Sequence, residues 1–428
     1  MGSETRLSHP APDAEAIDNR DHLEKLEVLS QKDTEHSPRP VRLFIVAGED
    51  SGDALGAKLI DKLRELCDRP LSCAGVGGPL MAKQGLVSLF PLADVAVMGP
   101  LAILARLPKL VRRVHATVAA ALAAGPDIVI IIDSPEFTHQ VAKRIRRRRP
   151  SIPIINYVSP SVWAWRPGRA RRMRPYVDHL LALLPFEPDA HARLGGPPCT
   201  YVGHPLVETG PWLRNLDPTP LADRLGLDHK SPKLVLLPGS RRSEVARLQS
   251  VFGEVVKTLH ARLGCVQIVM PVAESVRSLV ESEVANWSIK PHLVDGHDDK
   301  FRAFKLADAA LAASGTVTLE LAVAGTPMVV AYKVEPLAAP ILRRLISAQS
   351  IVLPNLILGQ NIFPEFIQEK CTPGALAEAL IPLLSDTPER RRQLSALDTV
   401  GSTVDSGVGA PSYAAARVVL DHLHLCHR

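Results

Sequence analysis

The chain has 428 residues, of which 46% are hydrophobic and 22% charged, with a net charge of +5. This composition excludes a disordered chain and suits two or three folded domains. No run of 18 apolar residues occurs, so no membrane span is predicted. The six cysteines form no C-x-x-C pair and no N-terminal leader pattern is visible, which argues against zinc and disulfide frameworks and makes a reducing cytoplasm the default compartment.

Residues 1–40 hold five Lys/Arg against nine Asp/Glu, with prolines at 10, 12, 38 and 40. They are predicted to be a mostly disordered extension with a short helix over Asp21–Leu29. Val41–Gly48 reads as a buried strand, and apolar positions 55, 59, 60, 63 and 66 predict a helix over Ala54–Cys67. The pairing recurs. Ile128–Ile132 is a strand followed by a helix to Arg149, and Ile152–Val158 is a strand. Lys233–Leu237 is a strand before a helix over Ser243–Leu263, and Val266–Met270 is another strand. Strand Ala309–Ala313 leads into helix Thr316–Ala324, and Val329–Tyr332 closes the series. Strands alternating with helices imply parallel sheets covered by helices. The expected fold class is α/β, with two Rossmann-like domains facing a cleft over 41–205 and 206–395. A linker is expected from Gly203 to Pro220. Residues 396–428 are expected to be a helical segment, with a helix over Pro411–Leu425 packing back on a domain.

Several turns stand where an open parallel sheet binds ligands, beyond strand C-termini. Gly48-Glu49-Asp50-Ser51-Gly52-Asp53 follows the first strand. It reads either as a ligand loop or as a helix start capped by Ser51. Asp133 follows Ile128–Ile132 and reads either as a general base or as a helix cap with Pro135 in the first turn. Tyr157-Val158-Ser159-Pro160-Ser161-Val162-Trp163-Ala164-Trp165-Arg166 is a rigid amphipathic loop that suits an acceptor wall, a membrane edge or an aromatic plug. Gly239-Ser240-Arg241 offers amides, a hydroxyl and a guanidinium to a phosphate, or is a solvated surface turn. Ser314-Gly315-Thr316 opens a helix that could meet a diphosphate, with Glu320 one turn on for ribose hydroxyls. The alternative there is plain capping. His204 and the Asp295, Asp298 and Asp299 group near His297 are discounted as metal ligands.

Charge is uneven. From Lys143 to Arg174 there are eleven Lys/Arg and no acid. Such a block suits an anionic membrane, a phosphorylated ligand, nucleic acid or a solvated helix face. Residues 97–113 mix apolar and basic residues and read as a membrane-interface segment or as a core helix kinked near Pro108.

Taken together these stretches resemble the lipid A disaccharide synthases, glycosyltransferases of Gram-negative outer-membrane lipid assembly. The resemblance rests on Gly48-Glu49 with Ser51-Gly52-Asp53, Ala96–Gly99, Asp133-Ser134-Pro135-Glu136-Phe137, the Ser159–Trp165 run, Pro238–Arg241 with Glu244, Ser314–Thr316 with Glu320, and Leu353-Pro354-Asn355-Leu356. It covers about residues 41–425 in family order. It implies a GT-B fold with an N-terminal acceptor domain and a C-terminal UDP-sugar domain. The implied reaction joins UDP-2,3-diacylglucosamine to 2,3-diacylglucosamine 1-phosphate with inversion, giving a β-1,6 disaccharide and UDP, without metal or cofactor. Asp133 would be the base, with Arg241 and Glu49 also catalytic. Ser51, Trp163, Asn355 and Gln360 would bind substrate. Gly239, Ser240, Arg241, Ser314, Gly315, Thr316 and Glu320 would bind UDP. Thr138 stands where the family more often has Asn. The acylated substrates imply an anionic membrane surface as partner and a peripheral place at the inner face of the inner membrane. The family can form homodimers by exchanging C-terminal segments. Two rivals remain: a UDP-N-acetylglucosamine 2-epimerase on the same fold, and a nucleic-acid binder using 143–174. The second leaves the glycine-rich turns unexplained, so nucleic acid is not an expected partner.

Overall fold

The computed structural model describes residues 39–96, 107–335, 348–405, 407 and 409–425. The expected Asp21–Leu29 helix and the first ten residues of the 97–113 stretch lie outside the described residues.

Thirteen described strands form two sheets, all of whose pairings are parallel. The first sheet comprises β1 (Val41–Ala47), β2 (Leu71–Val76), β3 (Val87–Ser88), β4 (Ile128–Ile132), β5 (Ile154–Tyr157), β6 (His179–Ala182) and β7 (Cys199–Tyr201). Its order is β3-β2-β1-β4-β5-β6-β7. The second comprises β8 (Lys233–Leu237), β9 (Gln267–Pro271), β10 (His292–Val294), β11 (Ala309–Ala313), β12 (Met328–Tyr332) and β13 (Glu365–Ile367), in the order β10-β9-β8-β11-β12-β13. Central strands are largely apolar because helices cover both faces: all five residues of β4, β8 and β11 are buried, Lys233 at the start of β8 among them. Each order reverses once, between β1 and β4 and between β8 and β11. Those two switch points are where the sheets part at their C-terminal ends and leave a crevice.

The helix expected over Ala54–Cys67 starts earlier, at Asp50, and runs to Leu66. Ser51 is therefore in its first turn and does not cap it; Glu49 holds the cap position, and its side chain makes no capping bond to the helix amides. Asp53 turns inward. It is 2% exposed and accepts bonds from the amides of Gly78 (2.8 Å), Leu80 (2.9 Å) and Met81 (3.0 Å), which start the Pro79–Lys83 helix. Asp53→Ala leaves those amides unpaired and is expected to destabilise the protein by about 1–3 kcal/mol in urea melts. An unchanged midpoint would show the bonds to be dispensable.

The expected linker is not an open loop. It folds into Pro205–Thr209, Gly210–Asn215 and Thr219–Leu225, and Leu213, Leu216 and Leu221 pack into the second sheet's core. The Pro388–Thr403 helix runs through the expected boundary at 396 and packs Ala396, Leu397 and Val400 into that same core. The Pro411–Leu425 helix returns to the first sheet, where Ala415, Ala416 and Val419 pack among its core residues beside the Asp50–Leu66 helix. Pro108 stands at the second described position of the Leu107–Ala124 helix, and the residues before it that a kink would involve lie outside the described residues.

Candidate active site

At the first switch point the loops after β1 and β4 touch. A Cβ on Gly48 would stand 2.3 Å from the Ser134 Cβ, so only glycine lets the two loops approach this closely. The Ser134 hydroxyl then donates to Glu49 Oε1 at 3.0 Å. Asp133 and Ser134 both hold left-handed backbone, φ 51° and 42°, a conformation that costs non-glycine residues energy and clusters at functional sites. The Thr138 side chain, one turn into the Pro135–Arg148 helix, holds this bend. Its buried hydroxyl donates to the Asp133 carbonyl at 2.6 Å, with the Ser134 carbonyl at 3.1 Å. Asp133 is thus no helix cap: its Oδ1 accepts from the Ser134 amide at 2.8 Å. Burial raises the Asp133 carboxyl above the usual aspartate range, and that amide opposes the shift. Burial and then the Asp133 charge raise Glu49, opposed by the Ser134 bond and by Arg241.

Arg241 belongs to the other sheet, so its charge reaches Glu49 across the crevice. It follows β8 on the Gly239 turn, where φ is 115° and a Cβ would meet Glu244 Oε2 at 2.5 Å. Glu244, nearly buried, accepts from Arg241 Nη1 at 2.7 Å and aims the guanidinium. Ser240 is exposed beside it. The next loop, after β11, carries Ser314, Gly315 at φ 143°, and Thr316, which opens the Val317–Ala324 helix. A cavity of about 530 Å³ lies between these two loops. Gly239, Arg241, Thr316 and Glu320 line it, with Lys300 opposite. Lys300 Nζ bonds both Glu320 oxygens, at 2.8 and 2.7 Å. The Ser314 hydroxyl is committed to the Ile351 carbonyl (2.7 Å), so this residue offers the cavity its backbone. Amides at a helix start, a guanidinium and an ammonium stand on one cavity, groups that can receive an anion, and the Glu320 carboxylate can still accept from sugar hydroxyls.

A second cavity of about 570 Å³ opens between the sheets and shares the Ser314–Thr316 wall. Its other walls are mostly apolar and include Val158, Trp163 and Trp165 from the first domain and Ile351 and Leu356 from the second. Trp163 is wall and plug together. It meets Phe186 edge-on at 5.2 Å and donates Nε1–H to Glu187 Oε1 at 3.1 Å. Burial pushes the Glu187 carboxyl up to about 7, against bonds from the Leu184 amide and Trp163.

Two expected substrate residues are placed otherwise. Asn355 is 2% exposed and spends its amide on the chain: Nδ2 donates to the Phe363 carbonyl (2.9 Å), and Oδ1 accepts from the Ile362 and Phe363 amides. It shapes the wall from behind. Gln360 faces solvent and lines neither cavity. Ser51 lines a shallow hollow with Glu49 and Asp50. His204 accepts from the Leu206 amide, and Asp295 and Asp299 are paired with arginines, so none of these is a free ligand. Residues the sequence did not single out are Gly48 and Ser134 as contact partners, Thr138 as a brace, and Lys300. Thr138 had a local signal, a hydroxyl bonding four residues back. Lys300 had none, since its partner lies 20 residues away.

Residues 43–408 match the family model of lipid-A-disaccharide synthetase. The chain belongs to that family. A lipid-A-disaccharide synthase of Rhodopseudomonas palustris (strain HaA2) is 51% identical over 89% of this chain and 96% of its own length. The synthase of Nitrobacter hamburgensis is 50% identical over 90% and 96%. Among solved structures, a UDP-GlcNAc 2-epimerase of Neisseria meningitidis superposes with TM-score 0.60 at 11% identity, covering 90% of this chain and all of that one. A glycosyltransferase of Rickettsia africae superposes with TM-score 0.56, also at 11% identity, over 91% of this chain. These likenesses are of fold and bear out the two-domain GT-B expectation. The epimerase alternative has only such a distant likeness, whereas relatives at half identity are synthases. The disaccharide synthetase family thus makes this chain a glycosyltransferase of lipid A assembly.

Proposed function

We infer that the chain condenses UDP-2,3-diacylglucosamine with 2,3-diacylglucosamine 1-phosphate. The observation that carries this reading is the pairing of the two sheet switch points across one crevice. Asp133 stands on one side, and Arg241 with the Ser314–Thr316 turn on the other. Asp133 takes the proton from the acceptor 6-hydroxyl as its oxygen attacks the anomeric carbon. Arg241 and the start of the Val317–Ala324 helix hold the departing diphosphate. Glu49 orients the Ser134 loop and, with Ser51, lines the acceptor side. The apolar cavity walled by Trp163 suits acyl chains. The reading is tested by UDP release: it should require both sugars and yield one disaccharide per UDP. Release that ignores the acceptor would refute it.

Glu320 is assigned to the ribose. Glu320→Ala is expected to raise the KM for the UDP-sugar by about 10–100-fold and leave the acceptor KM unchanged, the cost of losing a charged hydrogen bond. Initial rates at varied donor check this; an unchanged donor KM removes the assignment.

The enzyme is proposed to sit peripherally on the inner face of the inner membrane. Among the described residues no helix is long and apolar enough to cross a bilayer. Leu107 and Val111, 43% and 44% exposed, lie one turn apart on a helix that also carries Lys109 and Arg113. Those two cations bind Asp94, so the apolar pair supplies the surface grip. Leu107→Ser with Val111→Ser should reduce sedimentation with anionic vesicles several-fold; equal sedimentation would count against this face. A homodimer by exchange of the Pro411–Leu425 helix would repeat the contacts this helix makes with its own domain, among them Ser412 to Glu208 (2.9 Å). Light scattering of the purified chain reads it, and a strict monomer would exclude it.

A further inference from the structure

A basic cavity lies at the start of the helix that follows Asp133. The Pro135–Arg148 helix starts two residues after that aspartate and turns Glu136, His139 and Lys143 to one face. Arg166 and the Gly168–Met173 helix, with Arg169 and Arg172, oppose them across a cavity of about 370 Å³. Glu136 is the one carboxylate on its walls, and it accepts from Arg169 Nη2 at 2.7 Å. Among the described residues, Lys143, Arg166 and Arg172 have no carboxylate at ion-pair distance. Lys143 lies over the Tyr176 ring at 5.0 Å and Arg166 over Trp165 at 4.3 Å. Burial and then the charges of Arg169, Arg144, Arg147 and Arg172 hold the Lys143 ammonium below its usual range. Buried His139 bonds Tyr176 Oη at 3.0 Å and, with its pKa lowered to about 3 by burial, stays neutral. The cavity therefore gathers more positive charge than its own walls balance.

We propose that this cavity binds a phosphate monoester, the 1-phosphate of the acceptor sugar. The assignment rests on the function inferred above. The donor's diphosphate already has a site on the other sheet, whereas this cavity shares a domain and a helix start with the proposed base. His139 lies four residues beyond Pro135, roughly 6 Å at 1.5 Å per residue, about the span of one sugar ring. A monoester is close to a dianion at neutral pH, which suits four cations facing one carboxylate. A phospholipid diester carries a single charge and suits them less.

The test uses the full chain and two variants, Lys143→Met and Arg172→Gln, with diacylglucosamine acceptors that carry or lack the 1-phosphate. Each variant should raise the KM for the phosphorylated acceptor about 10–100-fold and erase the preference for it, leaving the donor KM unchanged. Lys143→Arg should restore most of the loss, which a merely structural role would not do. An unchanged acceptor preference overturns the proposal. So does loss of sedimentation with phosphatidylglycerol vesicles while the preference stays, since the cations would then serve a lipid headgroup. Calorimetry with N-acetylglucosamine 1-phosphate, at saturating UDP, reads the site without turnover and so separates it from the function reading. Binding lost in both variants supports the site; no binding to the wild type, or equal binding to all, overturns it.

Discussion

Asp133→Asn is expected to lower kcat by about 10²–10⁴-fold while leaving the donor KM near its wild-type value. Substitution keeps the side chain's size and removes only its basicity. Three features single out this carboxylate. It sits at the end of the fully buried β4, at a switch point, and its strained backbone is braced by Thr138. Its carboxyl pKa is raised by burial, and the Ser134 amide opposes this. The sign for activity follows. A base works only when ionised, so turnover should fall as pH drops through a pKa above the ordinary aspartate range. The pH profile of kcat/KM in the wild type should show that acid limb, and the residual activity of Asp133→Asn should lack it. Near-native turnover in the variant, or an unchanged limb, would remove Asp133 from the role.

Arg241→Ala should cost about 10²–10³-fold in kcat/KM for the UDP-sugar, because it removes a cation proposed to answer the developing diphosphate charge. The loss should be larger than a simple truncation would give, since Glu244 then faces the cavity with its charge no longer answered by Arg241 Nη1. Arg241→Ala combined with Glu244→Gln should therefore recover part of the donor affinity. A double variant no better than the single would mean that Glu244 does not act through Arg241. Arg241→Lys should fall between, since an ammonium lacks the fork that spans an oxygen pair.

The architecture was legible because central parallel strands are apolar on both faces. Ile128–Ile132, Lys233–Leu237 and Ala309–Ala313 read directly as strands with the observed bounds. Strands β2, β3, β6, β7, β10 and β13 are not legible in this way, since Leu71–Val76 is mixed and the other five are only two to four residues long. The site loops were legible for a related reason: Asp133, Arg241 and Ser314 each follow a strand closely, where a parallel sheet exposes its ligand edge. What the sequence hid was contact between distant segments. Nothing local tells that Gly48 must be small because Ser134 presses on it, or that Lys300 holds Glu320. Asn355 shows the converse. Its motif marks it for substrate, yet its amide is consumed in fastening residues 362 and 363. Asp53 likewise stands in a stretch that reads as a ligand loop or a helix start, and instead it anchors a neighbouring helix start.

The central claim is that a hydroxyl activated in one domain displaces a diphosphate held in the other, in a single step. Product stereochemistry tests it most directly. The disaccharide made from an α-linked UDP-sugar should show only the β-1,6 linkage in the anomeric proton coupling of its NMR spectrum. An α-linked product would mean retention, which a single displacement driven from Asp133 cannot give.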